Sequence, residues 1–257
     1  MSAVQPPDIS AASQTDATAR ECMTEMAQRL RAVLVLDGLD DFPRTRALPA
    51  AFFDEYSAAL AAYDRYIAHV VEARGFEISC CAGCSACCRH ELARGITVVE
   101  VIAIYRLVRG WADIGSVYKA AGENAVAFQR LLHAEMQRDP QPLAAADDPR
   151  VLAAHLAYNR QQRPCPFLDQ EQGLCRVYPV RPLVCRWFLN LSPPQWCEPV
   201  HPRHRERDAV GVYPHGEIDE LMAAIGERLG IRSVNYLAGA FVHIAGDVME
   251  GRSIGSR

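Results

Sequence analysis

The sequence predicts a mainly α-helical protein with an irregular, cysteine-rich metal-binding centre and at most a short β-hairpin. Three observations carry this. Apolar residues recur at spacings of three and four on both flanks of the chain, the repeat that lines one face of an α-helix. Five of the ten cysteines fall within the nine positions 80–88 of SCCAGCSACCRH. The stretch PCPFLDQEQGLCRVYPVRP at 164–182 holds too many prolines for a long helix.

At 257 residues, half of them apolar, the chain can bury a full core without covalent staples. The net charge of −4 gives no electrostatic reason to expect nucleic acid or anionic lipid as a partner. The first residues, MSAVQPPDISAASQTDATAR, have neither a basic n-region nor an apolar h-region, so no secretory signal is expected. No stretch approaches 18 uncharged apolar residues, so no membrane span is expected either. A cytoplasmic location follows as the expectation. Thiols stay reduced there, and clustered cysteines are then metal ligands or redox groups rather than structural disulfides.

Residues 1–18 are poor in apolar anchors and read as a disordered tail. Residues 19–250 read as one helical metal-binding domain, with the cysteine-cluster region at 80–197. The stripe Met23, Met26, Leu30, Val33, Leu34 predicts a first helix ending at Gly38. A longer helix starts near Pro49, with the stripe Phe53, Tyr56, Leu60, Tyr63, Ile67, Val70, and stops at Gly75. After the cysteines, Thr97 and Glu100 form a T-x-x-E capping box before VIAIYRLV, and Gly110 closes that helix. Residues 113–137 read as another helix, weakened by Gly122. Pro149 suits the first turn of one running to about 162. Two short extended runs flank DQEQG, and AVGVY at 209–213 reads as a short strand. Helices at roughly 216–229 and 234–249 finish the chain. The second carries Val234, Leu237, Phe241, Ile244 and Val248.

Cys81, Cys84 and Cys87 are spaced C-x2-C-x2-C. A loop of that spacing wraps three thiolates around one Fe–S cluster, with the fourth ligand from elsewhere in the chain. Cys87 and Cys88 are adjacent, and neighbouring side chains diverge on helix or strand. Either one of them is a spare, or the two serve separate centres. A second set, Cys165, Cys175, Cys185 and Cys197, lies far along the chain. With Cys22 and Cys80 set aside, eight thiols remain as metal-ligand candidates: Cys81, Cys84, Cys87, Cys88, Cys165, Cys175, Cys185 and Cys197. For one cluster, Cys81, Cys84 and Cys87 are favoured, with Cys185 as the fourth ligand.

Thiolates are soft ligands that select zinc, Fe–S clusters or Cu(I). A four-thiolate centre around Zn²⁺ or a [4Fe–4S]²⁺ core carries net charge near −2, which cations should offset. Arg89, Arg176 and Arg186 each follow a cysteine directly, and Arg181 is close by, so these four are the candidate cofactor-binding cations. Trp187, Phe188 and Tyr178 can shield such a centre from water. The eight histidines are dispersed, and the chain shows no P-loop, Rossmann glycine pattern, H-E-x-x-H or G-x-S-x-G. No catalytic residue is assigned.

The run Cys81-x2-Cys84-x2-Cys87-Cys88, then Cys165-Pro166-Phe167-Leu168, Cys175-Arg176-Val177-Tyr178 and Arg181-Pro182-x2-Cys185-Arg186, resembles the CxxCxxCC cysteine-cluster family, the YkgJ-type proteins. That family is described as a zinc- or iron-chelating domain and is often labelled an Fe–S protein. The resemblance implies metal binding by Cys81, Cys84, Cys87, Cys88, Cys165, Cys175 and Cys185. The family also resembles part of flagellin lysine methylases, which implies an Fe–S centre linked to modification of protein side chains. Cys80 and the helical flanks at 19–75 and 205–250 depart from the pattern.

The expectation is a cysteine-ligated metal protein, its cofactor an Fe–S cluster of the [4Fe–4S] type with a redox or side-chain-modifying role. C-x2-C-x2-C wraps a cluster, whereas zinc sites more often use two C-x2-C pairs. The alternative is a zinc-binding interaction module or a metal chelator without catalysis. Metal ions are the expected partners, with a protein or small molecule that the sequence does not identify.

Overall fold

The computed structural model describes residues 8–9, 16–81, 83–142, 148–198, 200–214, 216–231 and 236–249. It is mainly helical, with two small antiparallel sheets among the described residues. The first helix, α1 (Ala17–Leu34), opens on Asp16, whose carboxylate accepts the Ala19 N–H at 2.9 Å. Met23, Met26, Leu30 and Val33 are buried, as their spacing predicts. The four-residue α2 (Phe42–Thr45) leads to α3 (Phe52–Ala73), which lies along α1. The buried stripe of α3 is Phe52, Tyr56, Leu60, Tyr63, Tyr66 and Val70. Phe52 and Tyr66 thus replace the expected Phe53 and Ile67, which are half-buried at the margin of the core. Gly75, at φ +64°, ends the helix by donating to the Glu72 carbonyl.

Next comes α4 (Val98–Val108), with the expected capping box in place. Buried Glu100 accepts both the Thr97 N–H at 2.6 Å and the Thr97 hydroxyl at 2.8 Å. Its other oxygen accepts the N–H of Leu183, at 2.7 Å. Gly122 does not break α5 (Ile114–Arg138). The following helix, α6 (Pro149–Asn159), is capped by Asp148, which accepts the Arg150 N–H. It stops three residues before the expected 162. The Gln161 N–H turns back to the Tyr158 carbonyl, Gln162 has φ +49°, and Pro164 follows.

The expected hairpin is present: β1 (Leu168–Asp169) pairs with β2 (Leu174–Cys175), and Gly173 turns at φ +69°. After the short α7 (Val184–Trp187), β3 (Phe188–Asn190) pairs antiparallel with β4 (Ala209–Gly211). Only β4 is legible in the sequence. The chain then forms α8 (Gly216–Arg228) and α9 (Leu237–Val242), followed by a wider π-type turn over His243–Met249. The expected helix 234–249 is therefore shorter and wound in two ways. Leu237, Phe241 and Ile244 are buried as expected. Val234 and the Val248 side chain lie outside the described residues. Within the stretch read as a tail, Ile9 donates to the Gly211 carbonyl at 3.0 Å, and α1 already begins at Ala17.

α8 closes on α1, α4 touches both α8 and α9, and α5 packs on α6 and α9. The main core joins Met26, Leu30, Tyr56, Ile102, Phe167 and Phe241. A smaller cluster packs Phe128 edge-on against Tyr158 and tilted against Tyr236. Among the described residues no helix is long and apolar enough to cross a membrane. Among the described residues this scaffold leaves two stretches of short elements and turns side by side, one between α3 and α4 and the other between α6 and α8. Both carry cysteines.

Candidate metal centre

Backbone bonds pin the two segments together. The Cys165 N–H donates to the Cys88 carbonyl at 2.7 Å. The Ser79 N–H donates to the Asn190 carbonyl at 2.9 Å, and buried Asn190 returns its amide to the Ser79 hydroxyl at 2.7 Å. Sequence distance thus disappears: residues about a hundred positions apart share one wall.

Local turns aim the thiols. The Cys84 N–H closes a tight turn on the Cys81 carbonyl, and Gly83 reaches φ +92° to allow it. A short 3-10 turn over Cys87–Arg89 follows. Three sulfurs then receive a backbone N–H from two residues further on: Cys84 from Ala86, Cys165 from Phe167, and Cys175 from Val177. A fourth, Cys80, accepts the Asn190 N–H at 3.3 Å. Such donors stabilise sulfur carrying negative charge and tune a metal held by it.

Electrostatically the thiols fall into two groups, each coupled to Cys87. Cys80 and Cys84 share a side-chain hydrogen bond. It raises Cys80 far above the ordinary thiol range and lowers Cys84 to about 6. Burial pushes Cys197 up to about 11, and the charges of Cys84 and Cys87 push the same way while Arg207 opposes them. In the other group, burial raises Cys165, Cys175 and Cys185, and each also feels Cys87. Cys87 itself is raised first by hydrogen bonding to Cys88, then by burial. As residues Cys81, Cys87 and Cys185 keep an exposed side, so Cys87 and Cys185 are crowded by the protein on one side and open on the other.

Most of this set holds its protons at neutral pH. Among the described residues no three cysteine, histidine or acidic side chains already stand as a closed ligand group. Loading a soft metal would release those protons. The donor set fits such a metal: clustered sulfurs, with backbone N–H groups acting on four of them, while the carboxylates of Glu91 and Glu198 act on the same thiols from nearby.

The four predicted arginines divide. Arg181 lies over the Tyr178 ring at 4.1 Å and lowers Cys175 and Cys185. Arg186 is buried, bonded by Nη1 to both Asp64 oxygens at 2.6 Å and by Nε and Nη2 to the Arg181 and Pro179 carbonyls. It still reaches Cys175 electrostatically. Arg176 turns away to Asp113 and stacks on Trp111 at 3.9 Å. Arg89 donates to the Ser85 hydroxyl. Sequence reasoning passed over Arg207, beside Cys197, and set Cys80 aside. Being next to Cys81 was the only signal for Cys80. Cys22 is buried in α1, on the face that packs into the main core.

The hairpin turn also touches the cysteine loop. A Cβ placed on Gly173 would stand 3.4 Å from both the Gly83 carbonyl oxygen and the Ser85 hydroxyl, at a backbone angle that favours glycine. Gly173→Ala is expected to destabilise the protein by about 1–2 kcal/mol through the left-handed backbone alone. It should also loosen metal retention. Urea unfolding with metal analysis of the same preparation checks both, and unchanged values in both would show that the two loops do not depend on this contact.

A helical scaffold that gathers thiols from two remote segments defines a cysteine-cluster metal-binding protein. Residues 80–202 match the model of the CxxCxxCC family, which is described as a "putative zinc- or iron-chelating domain". Comparison with curated proteins and with solved structures gives no match.

Proposed function

We propose that the chain is a cysteine-ligated Fe–S protein with a redox or side-chain-modifying role. Its ligands are drawn from Cys81, Cys84, Cys87, Cys88, Cys165, Cys175, Cys185 and Cys197, and Cys80 joins them as a further candidate. The observation that carries this reading is the backbone pinning of the two cysteine segments, Cys165 N–H to the Cys88 carbonyl and Ser79 N–H to the Asn190 carbonyl, with Cys87 coupled electrostatically to thiols of both. The two segments together carry more thiols than one tetrahedral ion takes. The exposed sides of Cys81, Cys87 and Cys185 leave an edge through which electrons or a partner can reach the centre. When bound, the cluster supplies one-electron chemistry. The chain's own residues supply sulfur hydrogen bonds, the offsetting charges of Arg181 and Arg207, and a frame fixed by Asn190 and Glu100.

A second reading is a structural zinc held by Cys87, Cys165, Cys175 and Cys185. Their mutual coupling favours it, because four thiolates complete a structural zinc shell. Anaerobic purification with an absorption spectrum and metal analysis of one sample separates the two. The Fe–S reading predicts brown protein with broad visible charge-transfer absorption and about four irons per chain. Colourless protein holding zinc and no iron would overturn it in favour of the second.

A further inference from the structure

We propose that the cleft beside the thiols, walled by Arg89, His90, Gln162, Pro164, Gln170 and Glu198, binds a small zwitterion of the α-amino-acid class. The cleft encloses about 220 Å³, below the roughly 300–1,000 Å³ that drug-sized ligands occupy. Its occupant is therefore a molecule of a few heavy atoms. Its walls come from the four stretches that also carry cysteines. Arg89 and His90 follow Cys88, Pro164 precedes Cys165, Gln170 sits in the turn before Cys175, and Glu198 follows Cys197. A ligand there lies against the centre. The inference takes only this location from the metal reading, not the identity of the metal.

Two features support a built site. Arg89 and Glu198 put opposite charges on one small space. Arg89 is held by its Nε on the Ser85 hydroxyl. Among the described residues its terminal nitrogens form no salt bridge with Glu198 or any other carboxylate. A cation and an anion that face one cleft without neutralising each other match a ligand with a carboxylate at one end and an ammonium at the other. His90 is the second feature: only 3% exposed, it lines the cleft, and its buried Nδ1 has no hydrogen-bond partner. A buried polar atom left unpaired is costly, and a ligand donor or acceptor would satisfy it once the ring turns toward the cleft it lines.

Isothermal titration of the metal-containing protein, purified anaerobically, tests this with glycine, L-alanine and L-glutamate as probes and acetate and methylamine as single-ended controls. At least one amino acid should bind saturably, and neither control should compete. Arg89→Gln and Glu198→Gln should each weaken that binding at least ten-fold, as expected when one charge-assisted hydrogen bond is lost. Both positions are at the protein surface, and metal content with circular dichroism verifies that each variant is intact. Absence of saturable amino-acid binding in the millimolar range overturns the proposal, as does full competition by acetate or unchanged affinity in both variants. A wild-type chain that binds an amino acid but holds no iron would sink the Fe–S reading and leave the cleft standing.

Discussion

Cys87→Ser is expected to lower the metal bound per chain at least ten-fold, whereas Cys22→Ser leaves it unchanged. The serine oxygen is close in size but hard, and it cannot replace a thiolate for a soft metal. Cys87 is singled out because thiols of both segments are coupled to it: Cys84, Cys88 and Cys197 as well as Cys165, Cys175 and Cys185. Loss of that sulfur weakens whichever group holds the metal. Structural thiolate metals contribute about 10–16 kcal/mol of apparent binding energy to folding. The two cysteine-bearing stretches should therefore also lose protection against hydrogen exchange, while the α1–α3 pair keeps its own. Metal analysis and exchange measurements on the two variants check this. Full metal content in Cys87→Ser would remove Cys87 from the centre.

Glu100→Ala is expected to destabilise the protein by about 3 kcal/mol. The buried Leu183 N–H loses a charged acceptor, a loss of about 1–3 kcal/mol, and the capping box of α4 loses its reciprocal bond, about 1 kcal/mol. Glu100→Gln should fall between, because an amide offers one oxygen where the carboxylate uses two. A lower urea midpoint at unchanged slope is the expected signature, and a change below about 0.5 kcal/mol would place Glu100 among ordinary surface positions. Leu183 lies two residues before Cys185, so the same variant should also weaken metal retention. Glu100 thereby links the start of α4 to the second cysteine segment, 83 residues away.

Much of the helical frame is legible because its signals are local. The stripes of α1 and α3, the Thr97–Glu100 box and the proline at the head of α6 each act within a few turns. The hairpin around Gly173 is legible for the same reason. What escapes is non-local. Nothing in FLN announces β3, since the strand exists only by pairing with Ala209–Gly211. The box predicts that Glu100 bonds Thr97, but not that its second oxygen takes Leu183. Cysteine spacing alone points to the presence of a thiol cluster. It does not reveal that Cys80 bonds Cys84, that Cys197 couples to the first group, or that backbone N–H groups meet three sulfurs from two residues on. Those depend on φ and ψ in loops, where composition constrains little.

X-ray absorption at the metal edge of the protein as purified tests the central claim most directly, because it reads the atoms around the metal. The account predicts a shell of sulfur alone, about four per metal at roughly 2.3 Å, that loses sulfur in Cys87→Ser. A shell dominated by nitrogen or oxygen, unchanged in that variant, would contradict it.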